Sequence, residues 1–174
     1  MPTEVKSQPI SGVAAGAESL LESSCPSVAA SPIGRLIGSL MDCLPISIGG
    51  IKLSHVLFAP IAIPLGLTGY VLYKLTGDRY EVTNRSVRLR KLIGGQLRKQ
   101  VPLAEVADIV VHVEPGQAFH KAGDVYLLNA KGDTLLTLPG VVRPERLQHV
   151  IQEARDARIR NDASLKTIQS RAGK

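Results

Sequence analysis

From Val56 to Tyr73 the chain carries no charged residue, and this run limits what the rest of the molecule can be. A bilayer core of ~30 Å takes about 20 apolar residues at ~1.5 Å rise each. Leu53 to Leu75 meets that length, with only His55 and Lys74 flanking the uncharged run closely. Tyr70 and Tyr73 stand near its C-terminal end, where an aromatic belt forms, and Lys74 can snorkel from there to the interface. Pro60 and Pro64 each remove a backbone donor, which costs a helix in water roughly 3 kcal/mol. A bilayer tolerates them better, because a kinked helix keeps most of its bonds internal. The alternative is the core helix of a soluble protein, for which little other sequence remains as a wrapping. The run therefore predicts one transmembrane helix over 53–75.

Charge is divided unevenly around this run. Residues 1–75 hold four basic residues (Lys6, Arg35, Lys52, Lys74) and four acidic ones (Glu4, Glu18, Glu22, Asp42), so the net +6 belongs to residues 76–174. Arg79, Arg85, Arg88, Arg90 and Lys91 follow the run closely, against Arg35 and Lys52 before it. By the positive-inside rule the C-terminal domain lies on the cytoplasmic side of the cell's inner membrane. A basic half beside an apolar run implies an anionic partner, either phospholipid headgroups or nucleic acid. Binders of single-stranded nucleic acid need aromatic platforms. The basic half has only Tyr80, Phe119 and Tyr126, so membrane lipid is the expected partner and nucleic acid is not.

Ahead of the run the sequence says less. Residues 1–35 are rich in Ser, Ala, Gly and Pro and read as a disordered tail. Met1–Glu4 lacks the basic and apolar regions of a signal peptide. Residues 36–52 form a weakly apolar interfacial segment, since Asp42, Pro45 and three glycines make a poor spanning helix. Cys25 and Cys43 form no CxxC pair, so neither a disulfide scaffold nor a zinc site follows. Lipidation of Cys25 would need an apolar run before it, and the leader there is polar.

After Thr76-Gly77-Asp78 the pattern changes to alternation with a period of two. A two-residue turn at Asn84-Arg85 sets Val82 opposite Val87 and Tyr80 opposite Leu89, which keeps the apolar residues on one face. A three-residue loop, Gly94-Gly95-Gln96, would pair Ile93 with Leu97, Lys91 with Lys99 and Leu89 with Val101. That register gathers Arg88, Arg90 and Arg98 on the outer face, with Lys91 and Lys99 near the tip. These five are the candidate contacts to an anionic surface, at ~1 kcal/mol per basic residue near a membrane; a plain solvated face is the competing reading. Ile109, Val111 and Val113 predict a further strand. Residues 125–129 and 134–138 predict a hairpin that is apolar on both faces and so needs two covers. A closing helix opens near Pro144, with Leu147, Val150, Ile151 and Ala154 on one face. Residues 161–174 read as a polar tail.

Arg79-Tyr80-Glu81-Val82-Thr83-Asn84-Arg85 directly after the apolar run, then Gly94, Val101-Pro102-Leu103, Val106 and Ile109, and finally Thr137-Leu138-Pro139-Gly140-Val141 before the Pro144 helix, resemble the bacterial pleckstrin-homology-like (bPH2 type) membrane-associated domains. The resemblance covers residues 53–158. It departs at Ser86, where the family often has a second basic residue, and ahead of the domain, where the family often has two membrane helices. It implies a mainly β fold with one transmembrane helix: a bent β-sandwich or split barrel over residues 76–160, capped by a C-terminal amphipathic helix. It also implies an interaction or assembly module without catalytic residues.

Catalytic patterns are missing. His55, His112, His120 and His149 are scattered, with no HExxH, GxSxG or Walker pattern, and nothing marks Glu105 and Asp108 as an acid/base pair. No enzyme, metal or cofactor is expected. The expected function is a membrane-anchored module docking an unknown protein partner near the inner leaflet, with self-association left open. Direct recognition of anionic headgroups by the basic face, or service as an accessory subunit of a membrane enzyme, are the alternatives. Tyr70, Tyr73 and Lys74 are the expected membrane-interface anchors.

Overall fold

The alternation that begins after Gly77 becomes antiparallel sheet. The computed structural model describes residues 18–48 and 50–172. Strand β1 (Leu20–Ser24) is followed by a 3-10 turn at Val28–Ala30, helix α1 (Pro32–Asp42), a short hairpin of β2 (Ser47–Ile48) and β3 (Ile51–Lys52), and the long helix α2 (Leu53–Thr76). Then come β4 (Asp78–Thr83), β5 (Ser86–Lys91), β6 (Leu97–Pro102), β7 (Asp108–His112), β8 (Ala122–Leu128), β9 (Thr134–Val142) and α3 (Pro144–Ala172). The strands form a four-stranded sheet, β1-β4-β5-β6, and a three-stranded sheet, β7-β8-β9. The chain is therefore mixed α/β, where a mainly β fold was expected. Among the described residues one helix, Leu53–Leu75, is long and apolar enough to cross a membrane.

Both sheets close on one core. Tyr80, Val82, Val87 and Val101 from the first meet Val125, Leu127, Leu136 and Leu138 from the second, and Leu147, Ile151 and Ala154 of α3 complete the cluster. The Asn84-Arg85 turn pairs Tyr80 with Leu89 and Val82 with Val87 as the facing argument required. Tyr80 also ties the sheets together, its hydroxyl donating to Pro139 O at 2.8 Å. Burial pushes that hydroxyl well above its ordinary pKa, so it acts as a neutral donor.

Four expectations change. The loop after β5 spans Leu92 to Gln96, not three residues: Lys91 N donates to Gln96 O and Leu92 N to Gly77 O, while Gly94 and Gly95 both take positive φ (84° and 62°). The resulting register sets Leu89 against Lys99 and Val87 against Val101, with a bulge at Leu89/Arg90. Faces are preserved because the slide is by two residues, and Lys99 stands opposite Leu89 in place of Lys91, so no lysine opposes another.

Residues 20–35, read as tail, contain β1, the 3-10 turn and the start of α1; β1 lies against β4, with Ser24 opposite Tyr80. The sequence hid this strand because Leu20-Leu21-Glu22-Ser23-Ser24 neither alternates nor holds a β-branched residue. Residues 1–17 of the expected tail lie outside the described residues. Residues 36–52, read as one interfacial segment, divide between α1 and the β2–β3 hairpin. Residues 161–172, read as tail, continue α3; they hold neither Gly nor Pro, so nothing in them stops a helix.

Candidate functional site

The apolar helix does not stand alone. Ser31 caps α1 by accepting from Gly34 N at 3.1 Å, and Pro32 occupies the first helical turn. Gly34, Ile37, Gly38 and Met41 lie on the buried side of α1. Ile37 and Met41 pack on Phe58 and Ala62 of α2. At the far end Ser54 Oγ donates to Met41 O at 2.6 Å, and Lys52 pairs with Asp42 at 2.6 Å. The two helices are therefore an antiparallel hairpin.

This hairpin is pinned to the second sheet. Gly38 rests so close to the 114–120 loop that a Cβ on it would lie 2.0 Å from Gly116 O. Arg35 pairs with Glu114, reaches Asp124 Oδ2 at 3.5 Å and donates to Ala29 O at 3.2 Å. Asp124 is buried at the centre of this junction and accepts from Gln117 Nε2 at 2.7 Å and Gly140 N at 2.8 Å. His120 Nε2 lies 3.0 Å from Gly34 O, and Phe119 meets His55 edge to face, with ring centroids 5.7 Å apart. In the sequence Arg35 is only a flanking charge, and no local pattern marks Asp124. Only their contact in space gives them a role.

On its free sides α2 is bare. Only 6% of its most apolar stretch is buried, and Val56, Leu57, Ile61, Ile63 and Leu67 are all exposed. Ile33 and Leu36 of α1 and Ile46 and Ile51 beside it are exposed too. In water this area would be an aggregation surface.

The expected interface anchors come together. Tyr70, Tyr73 and Lys74 line a cavity of about 270 Å³ together with Cys25, Asp78 and Arg79. Lys74 Nζ stands 5.6 Å from the centre of the Tyr70 ring. The expected basic contacts are less uniform. Arg88 pairs with Glu18, whose other oxygen accepts from Thr83 Oγ1 at 2.6 Å and from Ser86 Oγ. Arg90 Nε lies 3.1 Å from Glu81, an ion pair out of hydrogen-bond alignment. Arg98 reaches across β5 to Asp78 at 3.1 Å. Each arginine thus has a carboxylate, while Lys91 and Lys99 are exposed with no ion pair among the described residues. The face is a lattice of paired charges with two free lysines, which no count of basic residues could reveal.

Among the described residues no group of three His, Cys, Asp or Glu side chains gathers at metal-binding distance. Comparison of the chain with family models, curated proteins and solved structures gives no match to any of them.

Proposed function

We propose that this protein is a membrane-anchored interaction module whose sheets face the cytoplasm and dock a protein partner beside the inner leaflet. The observation that carries the reading is α2, uncharged from Val56 to Tyr73 and exposed over most of its surface away from α1. A soluble protein of this size has no reason to leave such a surface in water. A four-stranded and a three-stranded sheet closing round one core with α3 packed into it support the pleckstrin-homology-like architecture. Exposed Arg79, Arg85, Lys91 and Lys99 support the cytoplasmic orientation. Direct headgroup recognition by the arginine face is the weaker reading, because a phosphate would first have to displace Glu18, Glu81 or Asp78.

Carbonate extraction of membranes from cells making the full chain tests this. Retention in the pellet is expected, and the double substitution Ile63→Lys, Leu67→Lys moves the folded chain toward the soluble fraction, since a lysine at hydrocarbon depth costs roughly 2.5–3.5 kcal/mol. Clean release of the unaltered chain ends the proposal.

A further inference from the structure

We infer, building on that membrane reading, that the α1–α2 hairpin enters one leaflet only and returns to the face it left, so that none of it crosses the bilayer. Length cannot decide this. From Lys52 to Lys74 the helix runs about 33 Å, which suits a crossing as well as it suits an in-plane helix.

Strand pairing decides it. β1 precedes the hairpin and β4 follows it, and the two are hydrogen-bonded neighbours, with Glu22 opposite Val82 and Ser24 opposite Tyr80. Paired strands lie on the same side of any membrane. Between Ser24 and Asp78 the chain therefore crosses twice or not at all. If α2 crossed, residues 25–52 would have to supply the second crossing. Among their described residues the one α-helix, α1, has 11 residues, or ~16 Å, about half of a hydrocarbon core. The short β hairpin adds no reach, because Leu53 N donates back to Ile46 O at 2.9 Å.

The far end of the hairpin is also wrong for the opposite surface. It is tied to the water-facing body through Phe119 on His55, and the Phe119 loop is itself held by Gln117 on Asp124. A crossing would drag that loop through lipid along with Glu114 and Lys121. Acyl chains are the occupant that fits what is left. The free sides of α2 are apolar without a polar stripe, whereas contact with a second copy would need only one apolar face. Both ends carry interface chemistry: Asp42 paired with Lys52 at one, Tyr70 and Tyr73 with Lys74 at the other. Lying along the interface puts both at headgroup level.

The native cysteines test this, since Cys25 lies at the near end of the hairpin and Cys43 at the far end, and both are exposed. Full-length Cys43→Ser and Cys25→Ser, each carrying a C-terminal tag, are treated in sealed membrane vesicles with a membrane-impermeant maleimide. Protease removal of the tag scores sidedness. The expected result is that Cys43 labels in intact vesicles from the side on which Cys25 labels and the tag is cut. Labelling of Cys43 only from the opposite side overturns the inference while leaving the anchor intact. Carbonate release of both variants overturns the anchor, and the inference with it. A Ser47→Cys variant in a cysteine-free chain repeats the measurement at the hairpin tip and must agree.

Discussion

The two long helices attached to the same sheets hide opposite amounts of themselves. α3 is polar along most of its length, yet Leu147, Ile151 and Ala154 are buried, and Gln148 and Arg155 donate to Ile109 O and Ala107 O at 2.7 Å each. α2 is apolar nearly throughout and leaves most of its surface bare. Periodicity separates them. The apolar residues Leu147, Ile151 and Ala154 of α3 recur at one angular position, so a single interface with the sheets satisfies them. Those of α2 point in every direction, and α1 covers only the strip around Phe58 and Ala62. A stripe shows where protein will be.

The strongest way to break this contrast is to attack the covered helix. Ile151→Ala empties a fully buried position between the sheets and should cost about 2–5 kcal/mol of folding stability. Urea unfolding of the full chain in mild detergent measures it. A loss below ~1 kcal/mol would mean that α3 is a peripheral strut, and the two helices would no longer be opposites.

A smaller effect is expected where the bare helix is moored. Gly38→Ala would push a methyl onto Gly116 O, a backbone atom in a residue at φ 84° that has little freedom to move away. About 1–3 kcal/mol should be lost, with new protease sensitivity in the 114–120 loop as the hairpin lifts. Unchanged stability and unchanged cleavage would mean that α1 does not hold α2 against the sheets.

What could be read in advance follows the same division. Tyr80 with Leu89 and Val82 with Val87 were legible because a two-residue turn and a shared face leave one register. The helix opening at Pro144 was legible from its stripe. The loop after β5 was not, because facing fixes register only modulo two, and a slide of two residues satisfies the same parity while separating Lys91 from Lys99. Nor was β1, whose pairing with β4 spans the whole hairpin and leaves no local trace. At the site, Tyr70, Tyr73 and Lys74 were legible from their place at the end of an apolar run. The carboxylates that occupy Arg88, Arg90 and Arg98 were not, since Glu18 comes from a segment read as tail and Asp78 reaches Arg98 from two strands away. A positive face was thus read from charges that the fold had already spent on each other.

The smallest expected effect is the sharpest test. Leu67 lies on the bare side of α2 and is 64% exposed. Leu67→Ala removes three carbons that touch solvent or detergent in the folded chain, so its unfolding free energy in detergent should move by less than about 0.5 kcal/mol. The comparison with Ile151→Ala uses the same kind of branched side chain and the same readout, so it isolates covering from hydrophobicity. A loss above about 2 kcal/mol would show that something in the folded protein already sits on Leu67. In detergent that something is a second copy of the chain, and a dependence of the midpoint on protein concentration would identify it. α2 would then be a covered helix like α3, buried by an interface between copies.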